Sequence, residues 1–130
     1  MKLAALSTER RVALVCGLIF VPAGLVKFAL HHWELHAFRR YGIPAPTVLE
    51  PIVGAVEMIG GALLIRGALI APTAFVLAIV MLVAFITGGI IHGDPIPSAT
   101  LAPALLVALL YLLVTDPELR SSAARWRALH

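Results

Sequence analysis

Charged residues are scarce in this sequence. Asp, Glu, Lys and Arg together make up 13% of its 130 residues, whereas hydrophobic residues make up 61%. A soluble domain carries about 25% charged residues. So little charge would leave large apolar patches in contact with water, which soluble monomers rarely tolerate. The composition therefore argues against a soluble domain and predicts an integral membrane protein whose main partner is the lipid bilayer.

Cysteine is also nearly absent, since Cys16 is the one cysteine of the chain. A disulfide within the chain, a CxxC redox pair and a cysteine-ligated iron–sulfur cluster are excluded. We interpret Cys16 as a small packing residue inside a helix.

His32 and His36 are four residues apart and would share a helix face, but no third ligand has matching spacing. We therefore expect a solvated polar face there, no metal site and no intrinsic cofactor.

Long apolar runs are what the sequence has in abundance. Crossing about 30 Å of hydrocarbon takes about 20 helical residues. Four runs approach that length and predict one all-α domain, a transmembrane four-helix bundle. The first run follows basic residues, as in a signal peptide, but it is too long for one and three more runs follow it. The predicted spans are residues 12–30, 47–65, 68–91 and 98–115.

The positions of Lys and Arg predict the orientation of the bundle, because cytoplasmic loops carry an excess of both residues. Arg39 and Arg40 lie on one side, with Lys27 near them inside the membrane, and seven basic residues lie on the other side. Both termini are therefore predicted to be cytoplasmic. The seven basic residues on the cytoplasmic side are Lys2, Arg10, Arg11, Arg66, Arg120, Arg125 and Arg127.

Basic residues interleaved with aromatics are missing, so no nucleic-acid partner is expected.

The segment between the first two spans, residues 31–41, has helix-compatible residues, with Trp33 and Tyr41 suited to the headgroup region. It predicts a short interfacial helix.

Ionisable residues inside the predicted spans are the most informative positions, because each costs about 2.5–3.5 kcal/mol at the centre of a membrane helix. Three spans combine such groups with small residues on one helical face. Small residues let helices approach closely, so we expect Gly17, Gly24, Gly54, Gly61 and Gly88 to lie at helix contacts. The three faces are Gly17, Gly24, Lys27 and His31, then Glu50, Gly54, Glu57 and Gly61, then Met81, Phe85, Gly88 and His92.

The three faces predict a polar cluster of Lys27, Glu50, Glu57 and His92. Lys27 would pair with Glu50 or Glu57, with His92 near the outer mouth of the bundle. Alternatively, Lys27 could extend its ammonium group toward the membrane surface. Such a cluster could have a functional role, in which it binds a ligand or moves protons. The alternative is a structural role, in which it serves only to fix the register of the helices. No catalytic residue is assigned.

The sequence resembles the DoxX family of small four-helix bacterial membrane proteins. The match covers roughly the first ninety residues, and the glycines, the lysine and the glutamate recur in order. The fourth span adds only hydrophobicity. The resemblance rests on Gly17 to Phe20 (GLIF), Ala23 to Phe28 (AGLVKF), Phe38, Gly42 to Pro46 (GIPAP), Gly54 to Gly61 (GAVEMIGG), Leu64, Gly67 and Met81 to Ala84 (MLVA).

This resemblance implies a multi-pass protein of the bacterial cytoplasmic membrane that is associated with redox chemistry. Some DoxX-like proteins are subunits of a thiosulfate:quinone oxidoreductase, and others associate with oxidative-stress enzymes. The leading expectation is a non-catalytic subunit or anchor of a membrane redox complex, with a quinone or lipid site near the outer leaflet. The alternatives are a self-sufficient quinone- or lipid-handling enzyme and an oligomeric small-molecule transporter. The partner would be a soluble or membrane redox enzyme, or further copies of the chain.

Overall fold

The computed structural model describes residues 7–93, 100–116 and 126–129, and within these ranges every regular element is a helix. Helices α1, α3 and α4, the last together with the π-helical segment that continues it, are each long and apolar enough to cross a membrane. Helix α5 is apolar but shorter. This architecture agrees with the predicted membrane helical bundle. The elements are α1 (Thr8–Ala29), α2 (His31–Arg40), α3 (Pro46–Arg66), α4 (Ile70–Ala84), the π-helical segment (Phe85–Ile91) and α5 (Leu101–Thr115).

The ends of the helices follow from local chemistry. Helix α1 begins at Thr8, ahead of the first predicted span, because the Ser7 hydroxyl accepts a hydrogen bond from the Arg10 amide at 3.1 Å and caps the helix. Helix α3 ends at Arg66 because Gly67 has a φ of 77°, a left-handed conformation that glycine adopts easily. Helix α5 begins at Leu101, whereas the predicted start at residue 98 lies outside the described residues.

The apolar core receives a large, fully buried side chain from each long helix and from α5. These four residues are Phe20, Leu64, Leu77 and Leu109, each with 0% exposure. Cys16 is also buried in this core, as expected of a packing residue. Helix α1 packs most extensively against α3, and α4 packs against α5. The tight α1–α3 pair is what positions the polar residues described below.

The surface of the bundle is apolar around its circumference. Large hydrophobic side chains such as Leu18 on α1, Ile59 on α3 and Val107 on α5 are more than half exposed. A soluble protein would leave this surface in contact with water, whereas lipid chains cover it at no cost. The pattern of burial therefore agrees with the membrane assignment from composition.

Arg10 binds the end of α3 that lies beside the start of α1. Its guanidinium group donates a hydrogen bond to the Leu64 carbonyl at 2.8 Å and another to the Ile65 carbonyl. The last carbonyls of a helix have no partner within the helix and carry a partial negative charge. Arg10 therefore acts as a C-terminal cap for α3 and holds it against α1.

We expect Arg10→Met to lower the free energy of unfolding by about 1–3 kcal/mol, because partly buried carbonyls lose a charged donor. Denaturant titration in detergent micelles, followed by circular dichroism, measures this change. The matched control is Arg11→Met, since Arg11 is the exposed neighbour. Equal stability of the two variants would show that the Arg10 contacts do not stabilise the protein.

Candidate functional site

Helices α1 and α3 meet through glycines in an antiparallel arrangement. A Cβ atom added to Gly17 would lie 2.5 Å from the carbonyl oxygen of Gly61, and one added to Gly61 would lie 2.9 Å from the amide nitrogen of Val21. Further along, Gly24 lies equally close to the backbone of Gly54. The glycines predicted to lie at helix contacts in these two spans therefore do so, and the two backbones approach closely.

Lys27 of α1 forms an ion pair with Glu57 of α3. The Lys27 Nζ atom lies 2.8 Å from Glu57 Oε1, and the side chains are 14% and 3% exposed. This distance is typical of a charge-assisted contact between an ammonium group and a carboxylate. Of the alternatives left open by the sequence, Lys27 neither pairs with Glu50 nor extends toward the membrane surface.

The direction of the two helices explains this choice. Every Cα–Cβ bond in a helix tilts toward the N-terminus of that helix. Because α1 and α3 are antiparallel, Lys27 tilts toward the middle of the bundle and Glu57 tilts back toward Lys27. Gly54 provides the space, since a Cβ atom there would lie 2.9 Å from Lys27 Cβ. The pair therefore lies deep, with Glu57 roughly 16 Å along α3 from its first residue.

Glu50, the second carboxylate of α3, pairs with His31 at the start of α2. His31 Nδ1 donates to Glu50 Oε2 at 2.5 Å, with the Glu50 side chain fully buried and the His31 side chain 41% exposed. The other carboxylate oxygen, Oε1, is buried and has no hydrogen-bond partner among the described residues. We call the four residues Lys27, His31, Glu50 and Glu57 the charged seam.

His92 was predicted to join this cluster, but its contacts lie elsewhere. It is exposed at the end of the π-helical segment, where Nδ1 donates to the Thr87 carbonyl at 2.7 Å. Its ring lies 5.2 Å from the ring of Tyr41, which follows α2. His31 takes the place expected of His92. The signal for His31 was present in the sequence, because it follows Lys27 by four residues on the same face of the first span.

The remaining predicted contact residue, Gly88, is buried in the π-helical segment. Gly60 was not predicted to be a contact residue, yet it is buried against Leu77 of α4, where a Cβ atom would lie 3.0 Å from Leu77 Cδ1. The signal in the sequence was the pair of adjacent glycines. Within the described ranges, no group of three or more His, Cys, Asp or Glu side chains could hold a metal ion.

The fold and the seam together define the class of protein. Three helices of membrane-crossing length, an apolar circumference and an ion pair buried between two of these helices characterise a multi-pass membrane protein with an intramembrane polar site. The sequence model of the DoxX family matches residues 11–90, which is more than half of the chain. The chain belongs to the DoxX family.

The family match includes all four residues of the charged seam and ends within the π-helical segment. No curated protein and no solved structure shows a significant match to the chain.

Proposed function

We propose that this DoxX-family protein is a non-catalytic membrane subunit that anchors a redox enzyme and offers it a quinone site at the charged seam. The observation that carries the proposal is the Glu50 carboxylate, which is fully buried and has one oxygen without a partner among the described residues. More than nine in ten buried polar groups in proteins have a hydrogen-bond partner. A ligand that donates a hydrogen bond would complete this site.

His31 supplies the second half of the proposed site. Its Nδ1 atom is committed to Glu50, which leaves Nε2 of a half-exposed ring for a ligand. A positively charged imidazole would donate from Nε2 to a quinone carbonyl, whereas a neutral one would accept from a quinol hydroxyl. Both redox forms of a quinone headgroup therefore have a matching partner. The apolar tail would lie along the exposed hydrophobic surface of the bundle.

The deeper Lys27–Glu57 pair would hold the site together. Because it fixes α1 against α3 beneath His31 and Glu50, it keeps the two halves of the quinone site in register. Lys27 and Glu57 would thus have a structural role, and Glu50 and His31 would contact the ligand.

The proposed setting is the bacterial cytoplasmic membrane, with both termini on the cytoplasmic side and the charged seam toward the outer leaflet. Arg10 and the end of α3 meet at one end of the bundle, and the seam lies toward the other end. The excess of basic residues at the Arg10 end supports this orientation. A redox enzyme would dock at the seam end, where the quinone enters, and further copies of the chain could join the same assembly.

Glu50→Gln tests the quinone site. We expect the purified variant to bind a short-chain benzoquinol about 10- to 100-fold more weakly than the unmodified protein, because the ligand loses a charged hydrogen-bond acceptor. Titration of the detergent-solubilised protein, followed by the fluorescence of its tryptophans, measures the affinity. Glu9→Gln is the matched control, since Glu9 lies near the start of α1 at the opposite end of the bundle.

Failure of the unmodified protein to bind quinone or quinol would contradict the proposed site, as would equal affinity of the Glu50→Gln and Glu9→Gln variants. The anchoring role is tested separately by mass spectrometry of the native protein after purification in mild detergent. We expect a redox enzyme to co-purify in a fixed ratio. A chain that purifies alone under every mild condition would contradict the anchoring role. That outcome would have no bearing on the proposed quinone site.

A further inference from the structure

Helix α2 carries a basic face that the charged seam does not use. His32, His36, Arg39 and Arg40 are all exposed. At about 100° per residue, these four positions fall within one quarter to one third of the helix circumference. Trp33 borders the same face and is 72% exposed. We call these five residues the α2 basic face.

The opposite side of α2 faces the bundle. Leu35 is buried, and His31 reaches Glu50 of α3 from that side. Glu34, the one acidic residue in the α2 sequence, also lies away from the α2 basic face and is half-buried. No acidic residue of α2 therefore lies on the basic face, and the helix has one side packed against the protein and one side exposed.

The position of α2 restricts what that partner can be. Helix α1 ends at Ala29 and α2 begins at His31, and α3 begins at Pro46, soon after α2 ends at Arg40. Two membrane-spanning helices therefore hold α2 at both ends, at the level where they leave the hydrocarbon. Lipid headgroups occupy this level, and exposed tryptophan is enriched there. The ring of Tyr41, 5.3 Å beneath the Arg40 guanidinium carbon, holds that side chain at the same end of the helix.

We propose that the α2 basic face binds the phosphate groups of anionic phospholipids in the surrounding leaflet. Guanidinium groups match phosphate oxygens with two parallel hydrogen bonds, and two neighbouring arginines at the headgroup level provide a site of complementary charge. Trp33 anchors the helix among the headgroups. This inference does not depend on the quinone site, because the α2 basic face and the Glu50 side of α2 are opposite surfaces.

The experiment measures which lipid lies next to Trp33. A Trp126→Phe variant leaves Trp33 as the sole tryptophan of the full chain. This protein is reconstituted into phosphatidylcholine bilayers that contain either brominated phosphatidylglycerol or brominated phosphatidylcholine, since bromine quenches nearby tryptophan. We expect phosphatidylglycerol to bind next to Trp33 about fivefold more tightly than phosphatidylcholine, which is the effect of about one arginine at an anionic surface. Raising the salt from about 0.05 M to about 0.5 M should reduce this preference, because ions screen exposed charges.

Replacing both arginines (Arg39→Gln with Arg40→Gln) in the same background should abolish the preference, and replacing both with lysine should retain most of it. Arg11→Gln, at the opposite end of the bundle, is the matched control and should change nothing. Equal quenching by the two brominated lipids in the Trp126→Phe protein would overturn the proposal and favour an acidic protein partner for this face. A preference unaffected by both added salt and loss of the two arginines would overturn it too.

Discussion

A Lys27→Met variant should lose about 3–5 kcal/mol of its free energy of unfolding, which is the cost of leaving one partner of a buried ion pair alone. Glu57 is 3% exposed and lies between two helices whose backbones touch through glycines, so water cannot replace the lost ammonium group. Denaturant titration in detergent micelles, followed by helical circular dichroism, measures the loss. Arg39→Met is the control, because an exposed basic residue should change stability by at most about 0.5 kcal/mol.

The double variant Lys27→Met with Glu57→Leu completes the test. We expect it to recover most of the lost stability, because well-packed apolar side chains often replace a buried ion pair without loss. The interaction free energy from this double-mutant cycle should therefore exceed about 1 kcal/mol. Additive losses would mean that the two side chains act independently and that the pair does not join α1 to α3. Retained quinol affinity in the double variant would assign Lys27 and Glu57 to structure, whereas its loss at normal stability would add them to the ligand site.

Much of the fold could be predicted from the sequence because lipid imposes a simple rule. Backbone polar groups in hydrocarbon must bond within their own segment, so a long apolar run becomes a helix almost regardless of its other residues. The exact ends of the helices depended on local hydrogen bonds, as at Ser7, whose side chain caps α1 ahead of the predicted span. The packing of α1 against α3 could also be predicted, because each helix has a face that combines glycines with a charged residue, and these charges are opposite.

The pairing inside the seam could not be predicted from spacing alone. Glu50 and Glu57 lie on one face of α3, about 10 Å apart along the axis, so either could meet Lys27. Which one does so depends on the offset between the two helices, and the close contact of Gly17 with Gly61 sets that offset. The position of His92 could not be predicted from residue spacing for another reason. The predicted face assumed α-helical rotation, but the chain becomes π-helical at Phe85, and the wider turn changes the direction of later side chains.

The glycine contacts carry the second large effect. We expect Gly17→Ala to cost about 1–3 kcal/mol of unfolding free energy, the range for an overpacked interior. Its Cβ atom would lie 2.5 Å from the Gly61 carbonyl oxygen and 2.6 Å from Ile65 Cγ1. Because the carbonyl is backbone, no side-chain rotation relieves the overlap, and α1 must move away from α3. The same denaturant titration in micelles measures the cost.

Gly60→Ala is the matched control, since it makes the same chemical change in α3, the membrane helix that packs against α1. Its Cβ atom would lie 3.0 Å from Leu77 Cδ1, a side-chain atom that needs to shift by only a few tenths of an ångström. We expect a loss below about 1 kcal/mol there, within the range of tolerated core changes. Similar losses for Gly17→Ala and Gly60→Ala would contradict a special role for the α1–α3 contact. A large loss for Gly17→Ala alone should also weaken quinol binding, because separating α1 from α3 moves His31 away from Glu50 and opens the proposed site.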